Sequence, residues 1–435
     1  MKLSTFQIFF MAGLMLFTVV SVMVFAVKGG VGGAASIGKV TIWGTVDQNI
    51  MDQVLTDLRG SDKNFRDTSY VKKNEKTYTE DLVNAMASGK GPDLFILPQD
   101  EMVAFANKIA IVPFGSVSQQ TFVDSFIDEG QLFLTKDGIR AFPFIVDPLV
   151  MYWNRDTFAN AGLPRPPQYW SDLLDITPKM TVVNNGSDIQ KSTIAMGEWA
   201  NVQYAKDIIT MLFLQAGDPI IKIGDEIIKY QVTLGTNTTN AQEAPAVSAL
   251  RFYTEFSNPA KTSYTWNKAI PLSQDAFVAG DLALYLGYAS DYPGLVTRNP
   301  NLNFGVSLMP QVKGGGGRVT FGHMYGLAIP RTSPNLVGAM AIAIGLSSQA
   351  GIVALSSHTT LPPVRRDVTI DTSKNAAASV FVQSGLIARA WLDPDPVKTN
   401  VIFGDMVQSV LSGKAQTQEA ISNAGQILQS IVFKL

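Results

Sequence analysis

The chain has 435 residues, a formal net charge of −2 and no cysteine, and 46% of its residues are hydrophobic while 16% are charged. This length exceeds what one hydrophobic core usually organises, so two lobes or domains are expected. The lack of cysteine excludes disulfide bonds, thiolate metal sites, cysteine nucleophiles and an acylated-cysteine lipoprotein anchor. The slightly negative charge argues against nucleic acid as a partner, because phosphate recognition requires a basic surface.

The N-terminal segment predicts a membrane anchor. Phe6 to Val27 are 22 consecutive residues without a charge, and as a helix they would be about 33 Å long, which matches the hydrocarbon core of a bilayer. A cleaved signal peptide, whose apolar stretch is usually about 7 to 15 residues, is the alternative. We predict a single-pass transmembrane helix over residues 1–28, a glycine-rich tether over 29–38, and an extracytoplasmic globular part at the cell membrane.

Short strands and amphipathic helices alternate from residue 39 onward. Lys39 to Gly44 predicts a strand, and Asn49 to Leu58 predicts a helix whose apolar residues recur at spacings of three and four. Thr77 to Glu80 has the spacing of a capping box and predicts the start of a second helix. Leu94 to Leu97 is a continuous apolar run, typical of a strand covered on both faces.

The same order of elements returns in the second half of the chain. Ser192 to Met196 and Leu282 to Leu286 predict strands, and Ser273 to Ala279 predicts a short helix. Tyr325 to Pro330 predicts a strand that precedes a long apolar helix from Asn335 to Leu346. This alternation predicts an α/β fold with mainly parallel sheets.

The sequence offers no motif for a cofactor or a metal ion. Gly314 to Gly317 lacks the Lys-Ser/Thr pair and the strand–loop–helix context of a phosphate-binding loop, so it predicts a surface turn. His323 and His358 are the two histidines of the chain, and they have no useful metal-ligand spacing. We therefore predict no metal and no cofactor.

Six motifs occur in an order that resembles a known family. They are Val40–Gly44, Gly89–Phe95, Phe142–Asp156, Ala161–Pro164, Phe277–Ala283 and Gly322–Pro330. In this order they resemble the extracellular solute-binding proteins of ABC importers, in particular the class that binds maltodextrins and other sugars. The resemblance covers nearly all of the chain after residue 39.

The resemblance implies a two-lobe, periplasmic-binding-protein-like fold of type II with hinge crossings. Lobe one would comprise residues 39–147 plus 323–377, and lobe two would comprise 148–322 plus 378–435. A small-molecule solute, a carbohydrate by the resemblance, would be captured between the lobes and delivered to ABC permease subunits after hinge closure. No bond is made in this role, so the protein is not expected to be an enzyme.

Candidate ligand-binding residues follow predicted strands or lie at a crossing, where polar and aromatic side chains can recognise a sugar. They are Trp43, Gln99, Asp100, Asp147, Glu198, Trp199, Asn201, Tyr204, Tyr288, Ser290 and Tyr325. By the resemblance, Asp100 and Asp147 match positions where relatives have ligand-binding carboxylates. The alternatives are core packing for Trp43 and Trp199, a helix N-cap for Asp100 and a hinge hydrogen bond for Asp147. A structural hydrogen bond is favoured over a ligand contact for His323.

Other solutes and roles stay open at this point. An anion, a polyol phosphate, a polyamine or a peptide could occupy the same fold. Arg365 and Arg366 could clamp an anion, although solvated surface charge is their commoner role. An acid cage of Asp100, Asp147 and Glu198 without stacked rings would indicate a cation. A hydrolase is disfavoured because no nucleophile elbow or metal motif is present, and a ligand sensor is the remaining alternative.

Overall fold

The structure is a computed structural model that describes residues 37–184, 188–223, 230–236, 244–373 and 375–433. The predicted anchor and nearly all of the predicted tether lie outside the described residues. Within the described ranges, no single helix is long and apolar enough to cross a bilayer. Two consecutive helices, Leu336–Leu346 and Gln349–His358, are together long and apolar enough to cross a bilayer, but the chain bends by 64° between them.

The described chain forms a mixed α/β fold. The strands are β1 Val40–Gly44, β2 Thr68–Lys72, β3 Leu94–Pro98, β4 Leu134–Thr135, β5 Gly138–Ile139, β6 Phe142–Asn154, β7 Val182–Asn184, β8 Asp188–Ile194, β9 Ile221–Ile223, β10 Tyr230–Val232, β11 Leu282–Tyr288, β12 Phe304–Ser307, β13 Thr320–Ala328 and β14 Ala388–Arg389. The helices are α1 Gln48–Ser61, α2 Tyr78–Ala87, α3 Gln119–Ser125, α4 Arg155–Asn160, α5 Trp170–Met180, α6 Ala205–Gln215, α7 Pro245–Glu255, α8 Ser273–Ala279, α9 Tyr292–Arg298, α10 Leu336–Leu346, α11 Gln349–His358, α12 Ala376–Leu386, α13 Pro396–Leu411 and α14 Thr417–Val432.

One hydrogen-bonded sheet runs through the whole molecule in the order β2-β1-β3-β13-β6-β11-β8-β7, with β12 beside β6 and β14 beside β13. Strands β6 and β13 form its centre and pair antiparallel from Gly322 opposite Pro148 to Leu327 opposite Phe142. Every residue of β6 except Trp153 is buried. The two longest central strands therefore pass from one half of the molecule into the other.

Proline in β6 explains an irregularity in this pairing. The register shifts between Tyr325 and Gly326, which lie opposite Ile145 and Pro143. Proline has no N–H to donate to a neighbouring strand, and a β-bulge is one of the few ways in which a sheet accommodates it. Phe144 is the extra residue of the bulge and is buried.

Two hydrophobic cores lie on the two halves of the sheet. The first contains side chains of β1, β3, α1 and α10, with Val146 and Met324 at its border. The second contains side chains of β8, β11, α6 and α13, with Leu149 and Phe321 at its border. The residues between these borders, at the middle of β6 and β13, join two separately packed lobes.

Most elements predicted from the sequence are confirmed, but two predictions were wrong in part. Helix α2 begins where the capping box placed it, yet the Thr77 side chain makes no cap hydrogen bond and instead donates to Asp81 Oδ2 at 2.8 Å. The sheet was expected to be mainly parallel, whereas β13 pairs antiparallel with β3 and β6, and β11 pairs antiparallel with β6. A continuous apolar run indicates burial on both faces, which central antiparallel strands share with parallel ones.

Gly326 provides a test of how tightly the centre of the sheet is packed. A Cβ at this position would lie 2.7 Å from Phe133 Cε2 and 2.8 Å from Ala141 Cβ. We expect Gly326→Ala to destabilise the fold by about 1–3 kcal/mol through overpacking, measured as a lower midpoint of urea unfolding. Gly60→Ala is the matched control, because a Cβ there meets no atom within 4 Å. Equal stability of the two variants would contradict this packing.

Candidate functional site

A cavity of about 790 Å³ lies between the two lobes, beside the middle of β6 and β13. Lobe one lines it with residues that follow β1 and with the end of α11, and lobe two lines it with the turn after β11. The lining residues are Thr45, Val46, Ile50, Gln53, Glu75, Ile145, Asp147, Ser290, Pro293, Tyr325, Ser357, His358, Thr359, Thr360 and Leu361. Three of the residues predicted from the sequence, Asp147, Ser290 and Tyr325, are therefore brought together in one cavity wall.

Asp147 connects the crossing to lobe two. Its side chain is 9% exposed, and its Oδ1 accepts a hydrogen bond of 3.0 Å from the backbone N–H of Ser290. Burial raises the pKa of Asp147 to about 6, against the opposing effect of the hydrogen bonds from Ser290. The carboxyl group thus holds the turn after β11 in place while facing the cavity.

His323 lies opposite Asp147 in the sheet and contacts both lobes. Its Nε2 is 3.6 Å from Asp100 Oδ2 in lobe one, and its ring stacks on Tyr288 of lobe two with 5.6 Å between centroids. The Tyr288 hydroxyl donates to Asp207 Oδ2 at 2.9 Å. We call Asp100, Asp147, Asp207, Tyr288, His323 and Tyr325 the crossing cluster.

The crossing cluster stabilises a positive charge on His323. Burial is the largest single influence on this imidazole and lowers its pKa, but the carboxylates of Asp100, Asp207 and Asp147 together outweigh it and raise the pKa to about 9. His323 is therefore an imidazolium at neutral pH. It balances acidic groups contributed by both lobes and by the crossing itself.

A further acid, Glu129, is buried near the crossing. Glu129 is 1% exposed, and neither of its carboxylate oxygens has a hydrogen-bond partner among the described residues. The side chain contacts Gly322 of β13. Burial raises the pKa of Glu129 to about 8, although His323 and Arg389 lower it. This carboxyl group is mainly protonated at neutral pH.

Comparison with known proteins decides the family. A sequence model for bacterial extracellular solute-binding proteins matches residues 64–380. The chain belongs to this family. Membership confirms the relationship that the six motifs indicated and assigns the protein a role in binding a solute outside the cytoplasm.

Proteins that are similar to this chain have low sequence identity to it. A predicted binding protein of Brucella abortus (strain 2308) is 21% identical over 365 residues, which are 81% of this chain and 82% of that protein. The structure of a cyclo/maltodextrin-binding protein complexed with maltotetraose is similar, with a TM-score of 0.71 at 15% identity over 92% of this chain and 98% of the other.

Two further structures extend this likeness. The cyclic α-maltosyl-1,6-maltose-binding protein of Arthrobacter globiformis has a TM-score of 0.71 at 17% identity. The match covers 92% of this chain and 100% of that protein. An ABC transporter solute-binding protein of Thermotoga lettingae bound to α-D-tagatose has a TM-score of 0.63 at 21% identity, covering 91% and 100%. At such identities the likeness shows the two-lobe fold of the family.

The remaining lobe-one candidates, Gln99 and Trp43, have partners of their own. Gln99 is 1% exposed, and its Oε1 accepts a hydrogen bond of 2.9 Å from the N–H of Met324, which ties the end of β3 to β13. The Trp43 ring is covered by the ammonium group of Lys73, whose Nζ is 3.4 Å from the ring centroid. Neither side chain lines the cavity.

The lobe-two candidates separate into two groups. Tyr204 reaches the crossing cluster, since its ring packs edge-on against Tyr288 at 4.7 Å and its hydroxyl donates to Asp291 at 3.0 Å. Asn201 instead donates to two backbone carbonyls at 2.8 and 2.9 Å and accepts from Trp266 Nε1.

Glu198 and Trp199 lie with Asn201 inside lobe two. Glu198 is 6% exposed, and burial raises its pKa. The indole of Trp199 packs against Gly404 of α13, where an added Cβ would lie 2.9 Å from its Nε1. None of these three residues lines the cavity.

Several cavity residues were not predicted from the sequence. Thr45 and Val46 directly follow β1, so the rule that ligands collect at strand ends could have found them. The segment 357–361 had no such signal, because the fold brings it from the end of α11. Glu75 of the cavity and Asp207 of the crossing cluster follow no predicted strand. Their positions depend on contacts between distant parts of the chain.

The pairing of His323 with Asp100 can be measured directly. We expect Asp100→Asn to lower the pKa of His323 from about 9, because the variant loses the negative charge nearest to the imidazole. Proton NMR titration of the imidazole is practical, since the chain contains two histidines. Asp57→Asn removes the partner of the other histidine, His358, and is the control. An unchanged His323 titration in Asp100→Asn would refute the pairing.

Glu129 makes stability depend on pH. The folded protein holds this proton more tightly than the unfolded chain does, so the group stabilises most below its ordinary pKa of 4.5, and the contribution is lost as pH rises to about 8. His323 acts in the same direction between 6.5 and about 9. We expect the melting temperature to fall from pH 5 to pH 8, and to fall less in Glu129→Gln. An equal pH dependence in both proteins would contradict a protonated Glu129.

Proposed function

We propose that the protein captures a carbohydrate in the cavity between its lobes and delivers it to an ABC permease by hinge closure. The observation that carries this proposal is the cavity of about 790 Å³ in which Asp147, Ser290 and Tyr325 meet beside the two crossing strands. The solved relatives with the same fold were crystallised with maltotetraose and with α-D-tagatose.

The chemistry of the cavity supports a ligand with many hydroxyl groups. Thr45, Ser357, Thr359 and Thr360 offer hydroxyl groups along the lobe-one wall. Carboxylates accept hydrogen bonds from sugar hydroxyls, and the ring of Tyr325 offers a face for pyranose C–H groups. These features match the requirements of carbohydrate recognition.

The charge of the cavity argues against an anionic ligand and keeps a cationic one as the second candidate. The described lining residues include the acids Glu75 and Asp147 but no lysine or arginine. The imidazole of His358 lines the wall and pairs with Asp57 at 2.8 Å. An anion would meet carboxylates here without a neutralising guanidinium, whereas a polyamine would be attracted to them.

Closure would bend the molecule at β6 and β13, where the two cores end. We assign residues 39–147 with 323–377 to lobe one and 148–322 with 378–435 to lobe two, as moving bodies. A permease can distinguish the closed from the open form because closure changes which lobe surfaces lie side by side. Catalysis and a cofactor have no part in this proposal.

The proposed location follows from the sequence of the N-terminal segment. Residues 1–28 would span the cell membrane, and the tether of residues 29–38 would hold the lobes outside the cytoplasm near the permease. Local confinement near the membrane would raise the frequency of encounters with the permease.

Thermal-shift screening of the full chain against sugars, polyols, amino acids, anions and polyamines tests the function. A ligand present at 100 times its Kd stabilises the folded state by about 2.7 kcal/mol, so its melting temperature should rise by several degrees. A shift with a carbohydrate is expected. If polyamines alone raise the melting temperature, the cationic alternative replaces the sugar, and no shift with any carbohydrate contradicts the proposal.

Substitutions in the cavity wall test the proposed ligand residues. Asp147→Asn and Tyr325→Ala should each weaken binding of the carbohydrate by about 1–3 kcal/mol, since each removes a buried hydrogen-bonding or stacking group. Calorimetric titration measures the change. Asp281→Asn is the matched control, because this exposed acid pairs with Lys191 away from the cavity. Equal affinity of Asp147→Asn, Tyr325→Ala and the control would refute these two residues as contacts.

Trp43 and Trp199 stay predicted ligand contacts and need their own variants. Trp199→Ala should leave affinity unchanged if packing against Gly404 is its role, and should weaken binding by about 1–3 kcal/mol if it stacks on the ligand. The same titration applies to Trp43→Ala. Unchanged affinity would mean that Lys73 covers the Trp43 ring in the complex as well, and weaker binding would mean that the ring contacts the ligand.

A further inference from the structure

A basic groove lies on lobe two, apart from the cavity between the lobes. It has a volume of about 440 Å³ and is formed by two loops, residues 165–169 and 307–318. The loops are joined by two backbone hydrogen bonds, from Gln311 N–H to Gln168 at 3.0 Å and from Trp170 N–H to Gln311 at 3.1 Å. The groove is thus formed by two segments that are distant in sequence and fixed to each other.

Half-buried amide groups brace the two loops that form the groove. Gln215 of α6 accepts a hydrogen bond from Trp170 Nε1 at 2.5 Å. Its amide nitrogen donates to the carbonyls of Pro310 and Val319 at 3.0 and 2.7 Å. The side chain of Gln311 receives the N–H of Val319 at 2.9 Å. A site held in this way loses little conformational entropy when a ligand binds.

The charge of the groove is positive. Arg165 and Arg318 line it, and no acidic residue is among its lining residues. Within the described residues, neither guanidinium forms an ion pair, whereas Arg298 and Arg365 are paired with aspartates at 2.6 and 2.8 Å.

Among the described residues, the first acid of the adjoining helix α5 forms no ion pair with either arginine. Asp172 lies near the first loop, but its carboxylate accepts the backbone N–H groups of Gln168 and Tyr169 at 3.2 and 3.0 Å. Lys313 lies in the second loop beside the lining residues and is exposed. The arginines are therefore left to face solvent or a ligand.

The glycine run Gly314 to Gly317 forms one rim of the groove. A Cβ added at Gly316 or Gly317 would meet no atom within 4 Å, so this rim is open. In the part of the chain that the structure describes, the N–H groups of these two glycines have no hydrogen-bond partner. Strand β13 follows this loop instead of a helix, so it is not a nucleotide-binding loop.

We propose that this groove is a second binding site, for a phosphate-bearing anion. Arginine pairs donate charge-assisted hydrogen bonds to phosphate oxygens, and a backbone N–H without a partner among the described residues, as at Gly317 on the rim, is a further donor that such an anion can use. The same chemistry is presented by a soluble phosphorylated compound and by the headgroup of an anionic phospholipid. The site is independent of the solute captured between the lobes.

The experiment uses the full chain in neutral detergent micelles and has two arms. In one arm, inorganic phosphate is titrated calorimetrically, and in the other the micelles contain phosphatidylglycerol or, for comparison, phosphatidylcholine. Binding in at least one arm should weaken about tenfold or more in the double variant Arg165→Ala/Arg318→Ala. It should also weaken at high salt, since exposed charges are screened.

Two control variants distinguish binding at this groove from nonspecific attraction of anions to a positively charged protein surface. Arg66→Ala removes an exposed arginine of lobe one and should leave binding unchanged. Arg165→Lys/Arg318→Lys keeps the charge but loses the two-pronged geometry, so it should retain part of the affinity. Binding of inorganic phosphate identifies a soluble ligand, and binding of phosphatidylglycerol alone identifies a lipid headgroup. No binding in either arm, or equal loss in Arg66→Ala, overturns the proposal.

Discussion

The antiparallel pairing of β6 with β13 is the constraint on which the architecture depends. The two strands share hydrogen bonds from one core into the other, with Pro148 opposite Gly322 near the point of change. Because both lobes belong to one sheet, any change in their relative orientation, such as the proposed closure, would have to act on this pair of strands. The Pro143 bulge adds local twist on the lobe-one side of the same pair.

The charged groups at this crossing lie between the two lobes, and their charge is reduced in two ways. Charges are costly to bury unless they are paired, and His323 supplies one positive charge among Asp100, Asp147 and Asp207. Glu129 solves the same problem differently, by holding a proton. His323 thus offsets part of the negative charge that the acids of the two lobes bring together, and burial raises the pKa of Asp147 and of Asp207, which lessens the repulsion further.

Three of the residues predicted from the sequence line the cavity because their places follow from the strands, and their role in binding a ligand stays a prediction. Asp147 and Tyr325 lie on the crossing strands themselves, and Ser290 directly follows β11, so their placement at the cavity depends on strand position. The rule that ligands collect at the ends of strands identifies an edge of a sheet, but it does not tell which way a side chain points. Asn201 and Trp199 follow a strand in the same way, yet their polar and aromatic groups point to partners within lobe two.

The amino-acid sequence by itself determined the α/β class, the approximate bounds of most helices and strands, and the family. Hydrophobic periodicity and motif order are local properties, so they can be recognised without knowing which segments meet. Only the tertiary structure decided the antiparallel centre of the sheet, the covering of Trp43 by Lys73, and the meeting of Asp147 with Ser290, which are 143 residues apart in the chain. Strand direction and the partners of polar side chains depend on contacts between distant segments, and no local pattern records them.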